Sequence, residues 1–203
     1  MKRLKLILML MLSFNLTMYS QTEKLIPESQ TIQTAYDNLL KNPTDKDLQK
    51  RYITVFPDNV DLFKHVFQSP TFDQLYKDSH LYIIKLAEIS TDYPDLVGTK
   101  LIKLCIGLKK WDADAIGYIQ HVTMGYANSN YSDFIGLIKT LKKQDLKTLT
   151  TFLADVENHS AYGEYQEFLE KLKSNKETEL FDLFKKAKET RNAKPHHATP
   201  SQN

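Results

Sequence analysis

The segment Trp111-Asp112-Ala113-Asp114-Ala115 places the only tryptophan of the chain next to two carboxylates. Such a group could form a general acid/base site or a platform on which a sugar ring stacks. An Asp at a helix start, however, also accepts hydrogen bonds from free backbone N–H groups and favours the positive end of the helix dipole. Two carboxylates at this spacing also lie on different sides of a helix. We expect helix capping and a buried Trp111, and we keep Trp111, Asp112 and Asp114 as candidate binding residues.

The histidines and the single cysteine offer other chemistry. His196-His197 could bind a transition metal, but no Cys, Asp or Glu lies close by in the sequence to complete a site. The other histidines are isolated, and no HExxH motif occurs. Cys105 shares an apolar helical stripe with Leu101 and Leu108, which predicts a buried, unreactive thiol. The sequence therefore predicts no metal, no cofactor and no catalytic residue, and we expect a protein that is not an enzyme.

Tyrosines at predicted hairpin starts and loops are candidates for contact with a partner. The chain contains 11 tyrosines, of which Tyr126, Tyr131, Tyr162 and Tyr165 fall at such positions. An amphipathic ring in this setting suits a protein interface. Alternatively, these rings cap helix ends and pack the joints between hairpins. We keep Tyr126, Tyr131 and Tyr162 as candidate binding residues with both interpretations open.

The elements that position these residues are predicted to be helices. Apolar residues recur at helical spacing nearly throughout the chain, and no stretch has four clean apolar-polar alternations. The helix that follows Trp111 is expected to end in the turn-rich segment 125–130. Three glycines inside predicted helices indicate close approach of a neighbouring helix: Gly107, Gly117 and Gly136. We predict an all-α fold of stacked antiparallel helical hairpins, either repeat-like or in an irregular helical bundle, with about nine to ten helices.

A match between two segments 31 residues apart is the most specific internal signal. It sets Tyr131 on Tyr162, and apolar positions coincide through two helices as far as Val156 on Ala187. Two tandem hairpins would explain the match, because each has an apolar stripe that it cannot bury alone. Alternatively, any two amphipathic hairpins with equal loops align in this way. The match is not found upstream of Tyr131.

The composition indicates a packed domain and argues against nucleic acid as a partner. The 203 residues are 41% hydrophobic, with 27 Lys and Arg against 25 Asp and Glu. Binding to nucleic acid relies on clusters of basic residues, which this balance does not provide. The chain has only six glycines and no glycine-rich phosphate-binding motif.

Residues 1–20 have the pattern of a secretory signal peptide. Three basic residues among the first five precede an apolar run from Leu6 to Tyr19. As a helix this run would span about 21 Å, which is short of the ~30 Å hydrocarbon core of a membrane. We predict cleavage near Ser20, and the alternative is a retained membrane anchor. Cleavage leaves 24 bases and 25 acids, a net charge of −1.

The remainder is predicted to be one helical domain and a tail. Residues 21–190 carry the helical pattern, and the single cysteine cannot form an internal disulfide. Residues 191–203 lack any large apolar side chain, so we predict a disordered tail. The stability of the domain must therefore come from its core.

Three segments support a resemblance to a group of exported proteins. They are Ser20-Gln21 at the leader end, the FPDNVDLF segment from Phe56 to Phe63, and the WDADA segment from Trp111. With these features the chain resembles exported, all-helical proteins of Bacteroidota that have no assigned activity. The resemblance implies a Gram-negative periplasm, and it transfers no functional residue.

The sequence predicts a periplasmic or secreted, non-enzymatic helical protein that binds another protein. An immunity-like or inhibitor-like role is one specific form of this hypothesis. Neither nucleic acid nor a membrane is expected as a partner once the leader is removed, and the oligomeric state is left open. The alternative function is a small-ligand binder or hydrolase that uses Trp111, Asp112 and Asp114.

Overall fold

The computed structural model describes residues 27–67, 75–108, 115–155 and 159–193. Within these ranges the chain forms ten α-helices and one 3-10 turn at Ile89–Thr91, without any strand, so the all-α prediction is confirmed. The helices are α1 (Pro27–Lys41), α2 (Lys46–Val55), α3 (Val60–Phe67), α4 (Ser79–Glu88), α5 (Pro94–Gly107), α6 (Ala115–Ser129), α7 (Tyr131–Lys139), α8 (Lys143–Ala154), α9 (His159–Ser174) and α10 (Thr178–Asn192).

Six of the helices form two layers. Helices α4, α6 and α9 lie side by side in the first layer, and α5, α8 and α10 lie side by side in the second. Helices α5 and α6 are antiparallel. The Tyr126 hydroxyl near the end of α6 donates a hydrogen bond to the carbonyl of Pro94 at the start of α5. Farther along, Cys105 of α5 contacts Thr123 of α6. The molecule is therefore a stack of helical hairpins, in which each apolar stripe is buried by the next hairpin.

Helix α7 is an insertion between α6 and α8, which are the first-layer and second-layer helices of the middle hairpin. It packs against α5 and α6, whereas the helix that lies along α9 is α6. The 31-residue match pairs α7 with α9, so it does not align structural counterparts. The turns differ too, since the first begins at Thr140 and the second at Asn175, 35 residues later. The match therefore reflects the common spacing of apolar residues in amphipathic helices, which was the alternative interpretation.

Aromatic rings close the stack at its N-terminal side. Tyr36 of α1 contacts the rings of Tyr52 and Tyr82, with centroids 6.0 and 4.5 Å away. Phe67 of α3 lies 5.6 Å from Phe56 and 5.9 Å from Tyr82. The buried hydroxyl of Tyr52 donates a hydrogen bond of 2.7 Å to the carbonyl of Tyr82. These contacts join α1, α2 and α3 to the first helix of the stack.

The predicted glycine contacts are correct at one of three positions. A Cβ atom at Gly107 would lie 2.3 Å from Cγ2 of Val60, so α3 and α5 need a glycine there. At Gly117 and Gly136 no neighbouring atom lies within 4 Å of such a Cβ, and the prediction is wrong for both. These two glycines are exposed on the helix surface.

Helix α6 continues through the segment 125–130 as far as Ser129, although the sequence predicted a turn there. Tyr126 is buried in this segment. The Asn128 side chain donates a hydrogen bond of 2.9 Å to the carbonyl of Glu164 in α9. Packing against the next hairpin therefore outweighs the local turn preference of glycine and asparagine.

Candidate functional site: a groove between α8 and α10

Half of the candidate binding residues lie outside the described part of the chain. These three residues are Trp111, Asp112 and Asp114. The predicted leader and His196-His197 also lie outside the described ranges. Tyr162 lies in α9, but its side chain is not described. The alternative site around Trp111 therefore stays a prediction.

Tyr126 is an internal packing residue. Only 2% of its surface is exposed, and its hydroxyl donates a hydrogen bond of 2.9 Å to the carbonyl of Pro94. A Cβ atom at Gly98 would lie 2.3 Å from the same hydroxyl oxygen, so this glycine makes room for the ring. Burial raises the pKa of Tyr126. The ring is therefore not available to a partner. It packs a joint between helices, which is the alternative interpretation that the sequence left open.

Tyr131 is half-buried at the start of α7. Its ring centroid lies 6.1 Å from that of Phe168, and its hydroxyl is 3.5 Å from the carbonyl oxygen of Lys171. Burial raises the pKa of this tyrosine as well. The described contacts of Tyr131 are therefore with α9, although part of the side chain is accessible.

Cys105 is fully buried, as predicted. Its Sγ atom lies 3.4 Å from Oγ1 of Thr123, and Thr123 donates a hydrogen bond of 2.7 Å to the carbonyl of Ile119. Burial raises the pKa of the thiol to about 12, because a thiolate would be desolvated. The thiol is therefore protonated at neutral pH and a poor nucleophile.

A groove of about 900 Å³ lies between α8 and α10, the last two helices of the second layer. Its apolar floor is formed by leucines and small side chains that face each other across the two helices: Leu141, Leu146, Thr150, Leu180, Leu183 and Ala187. Thr150 is buried at the bottom of the floor, and its hydroxyl donates to the carbonyl of Lys147, so it leaves no unpaired donor there. The floor can therefore bury apolar side chains of a second molecule.

The rim of the groove is mainly basic. Lys143 and Lys147 lie one turn apart on α8, and Lys186 faces them from α10 together with Glu179. All four side chains are exposed. Among the described residues no carboxylate lies within ion-pair distance of these three lysines. The rim therefore carries positive charge that its described neighbours do not neutralise.

The C-terminal end of the groove is closed by an ion pair. Arg191 of α10 pairs through Nε with the carboxylate of Asp155 at the end of α8. The sequence placed Arg191 in a disordered tail, which is wrong, because this contact and the last turn of α10 hold the residue in the fold. Both residues of the pair line the groove at that end.

Two further side chains hold the end of α8 in place. Gln120 of α6 donates hydrogen bonds to the carbonyls of Phe152, at 2.6 Å, and Asp155, at 2.9 Å. Lys188 of α10 donates one of 3.1 Å to the carbonyl of Ala154, and burial lowers the pKa of this lysine. The last carbonyls of a helix have no partner within it, so these donors satisfy them. The closed end of the groove is therefore held by hydrogen bonds from both α6 and α10.

The groove offers an apolar floor and a charged rim, which are the parts of an interface that give affinity and orientation. Its carboxylates are Glu179 at the rim and Asp155, which is already paired. Within the described residues no group of three or more His, Cys, Asp or Glu side chains could hold a metal ion.

Sequence reasoning did not identify this groove. Leu146 and Thr150 share one i, i+3, i+4, i+7 apolar stripe of α8 with Leu149 and Leu153. Leu149, Thr150 and Leu153 are buried, whereas Leu146 at the edge of the stripe is half-buried. The sequence pattern of α8 alone therefore does not separate the groove-lining residues from the core.

No family model, curated protein or solved structure matches the chain. None of the helices in the described ranges has the length and hydropathy needed to cross a bilayer. The groove is therefore interpreted from its own geometry and charge.

Proposed function

We propose that the protein is a non-enzymatic binding module that holds a segment of another protein in the α8–α10 groove. The observation that carries this proposal is the apolar floor, which lies at the surface beneath an exposed basic rim. Surface apolar patches rimmed by polar residues mark protein interaction sites. An inhibitor-like or immunity-like role in the periplasm, after cleavage near Ser20, is the specific form that we favour.

The stacked architecture supports this function. Stacked hairpins present extended surfaces whose shape is set by the whole stack rather than by one loop. The groove lies on the last two hairpins, and its closed end is held by Gln120, Lys188 and Arg191. Contacts that already hold the end of the groove in the free protein reduce the ordering that binding requires, which favours affinity.

The test is capture of a partner by groove variants. Leu183 is half-buried on the floor, and Leu183→Asp places a charge there. Ala187→Trp fills the same groove without a charge, whereas Leu81→Asp changes a leucine that is 44% exposed on α4. Each purified variant is first compared with the parent by circular dichroism, and then used as bait in periplasmic extract from the producing cells.

We expect one protein, identified by mass spectrometry, to bind the parent and Leu81→Asp, and to bind both groove variants at least tenfold less. Equal capture by the parent and by both folded groove variants would show that the groove is not the binding surface.

A small-ligand binder is the second candidate, because the groove volume lies within the range of about 300–1,000 Å³ typical of ligand sites. Native mass spectrometry of the protein purified from its own cells distinguishes the two functions. A bound mass that is present on the parent and absent from Leu183→Asp would favour the small ligand. Its absence, together with groove-dependent capture of a protein, would favour the protein partner.

A further inference from the structure

We infer that the segment held in the groove is an amphipathic α-helix of about three turns with acidic residues along one edge. This inference rests on the proposed function and specifies the chemistry of the partner. It follows from the length of the groove, the apolar spacing of the floor and the charge of the rim.

The groove has the dimensions of a helix. The lining residues of α8 run from Lys143 to Asp155, which is about 18 Å at 1.5 Å per residue. Helices α8 and α10 run in the same direction, since Lys139 pairs with Glu177 at 2.7 Å before both helices and Asp155 pairs with Arg191 at their ends. A third helix laid between two such helices packs its own stripe into the space between them, as in a helical bundle. Three turns fill the open length and stop at the ion pair.

The floor also repeats at helical spacing on both sides. Leu146 and Thr150 are four residues apart on α8, and Leu180, Leu183 and Ala187 follow a three-four spacing on α10. An i, i+3, i+4, i+7 stripe on a bound helix matches this pattern, whereas an extended strand would find no free sheet edge among the described residues. The floor therefore favours a helical segment.

The charges determine which edge of that helix is acidic. Lys143 and Lys147 are spaced i, i+4, so carboxylates spaced i, i+4 on the α8-facing edge would meet both. On the opposite rim Glu179 lies toward the helix starts, and Lys186 lies two turns farther along. The α10-facing edge would therefore carry an acidic residue only near Lys186.

The experiment compares three synthetic peptides of about 14 residues that share one leucine stripe and differ at the edge positions, which are Glu, Gln or Lys. Their binding to the full protein is measured by fluorescence anisotropy at low and at high salt. The protein variant is Lys143→Glu/Lys147→Glu. Its control is Lys103→Glu/Lys173→Glu, which changes the net charge equally at exposed positions on α5 and α9. Both variants should fold, because all four lysines are exposed.

For the parent and the control variant we expect the Glu peptide to bind about tenfold more tightly than the Lys peptide, with a preference that decreases at high salt. Lys143→Glu/Lys147→Glu should reverse the preference. Equal affinity for the Glu and Lys peptides, with both lost in Leu183→Asp, would overturn the charge inference and leave the groove as a helix site.

If none of the peptides binds while Leu183→Asp still abolishes capture of the partner, the partner segment is not a helix of this kind. If none binds and capture is insensitive to the groove variants, the proposed function fails as well. The two failures are therefore distinguishable.

Discussion

The last hairpin meets the preceding one along two seams, and the seams differ in how they are bridged. Along the α6–α9 seam, His121 lies 3.0 Å from a carboxylate oxygen of Glu164, and the Asn128 side chain donates to the carbonyl of Glu164. Farther along, Lys171 donates a hydrogen bond of 2.9 Å to the carbonyl of Asn128. A Cβ atom on Gly125 would make ordinary van der Waals contact with Oε1 of Glu164, at 3.7 Å.

The α8–α10 seam is bridged only at its two ends among the described polar contacts. Lys139 and Glu177 pair before the helices begin, and Asp155 and Arg191 pair where they end. Between these ion pairs lie apolar residues and the groove of about 900 Å³. Both helix pairs pack against each other. One hairpin thus makes one seam with polar contacts along its length, the closed seam, and one with polar contacts only at its ends, the open seam. The two seams differ in the type of side chain between the helices, since the helix directions are the same in both.

The comparison is tested most strongly by removing the last hairpin. A chain that ends at Asn158 loses α9 and α10, so α6 and α8 lose the helices that cover them. Residues that the full chain buries, including Leu149 and Phe152, would be exposed to water. We expect aggregation or a loss of helicity and of cooperative urea unfolding, measured by circular dichroism. A soluble fragment as stable as the parent would show that neither seam contributes to the stability of the stack.

The next test compares one buried position with one groove position. Phe168 is fully buried, and ring centroids of Phe134 and Phe184 lie 5.4 and 5.1 Å from its own. We expect Phe168→Ala to lower the free energy of unfolding by about 3–5 kcal/mol. Leu183 on the groove floor is partly exposed, so Leu183→Ala should cost about 1 kcal/mol or less. Urea titration of both variants measures the difference, and similar losses would contradict an open groove.

A third test concerns the closed end of the groove. Gln120→Met keeps the length of the side chain but removes both hydrogen bonds to the end of α8. It leaves buried carbonyl groups without this donor, which should cost about 1–3 kcal/mol in urea unfolding. Gln144→Met, at an exposed position of α8, is the matched control and should change stability by about 0.5 kcal/mol or less. If both variants are equally stable, Gln120 does not hold the helix end.

The sequence was sufficient to predict the fold class, because the spacing of apolar residues is local information. It also predicted burial of Cys105 from its stripe with Leu101, and both are fully buried. It did not predict that α6 lies along α9, because that contact requires α7 to pack outside the two layers. Arg191 was misassigned for a similar reason, because its partner Asp155 is 36 residues away.

The groove was missed because it depends on two helices at once. Each of α8 and α10 looks amphipathic alone, and only their parallel placement shows that Leu146 and Leu183 face one space. The tyrosine candidates failed at Tyr126 for a related reason. A tyrosine at a predicted turn looks accessible in the sequence, but the buried hydroxyl finds the carbonyl of Pro94 from the preceding hairpin.

The smallest expected effect is a pH dependence confined to the closed seam. Glu164 is partly buried between α6 and α9, and burial raises its pKa above the ordinary value of 4.5, against the opposing effect of His121. Because the folded state binds this proton more tightly than the unfolded state, the contribution of Glu164 to stability is fully present below the unfolded pKa. It is lost as the pH rises through the folded pKa.

In Glu164→Gln this titration is absent, so the variant should gain stability relative to the parent as the pH rises from about 4 to about 7. Urea unfolding of the parent and the variant at several pH values measures this difference, and Glu179→Gln, at an exposed position of the groove rim, is the control for the same change of charge. The opposite sign, a variant that loses stability relative to the parent over this range, would mean that the ion pair with His121 outweighs the burial of the carboxylate. In that case the ion pair between His121 and Glu164 stabilises the α6–α9 seam along its length. The α8–α10 seam has ion pairs only at its ends, so the two seams would differ in the position of their stabilising ion pairs.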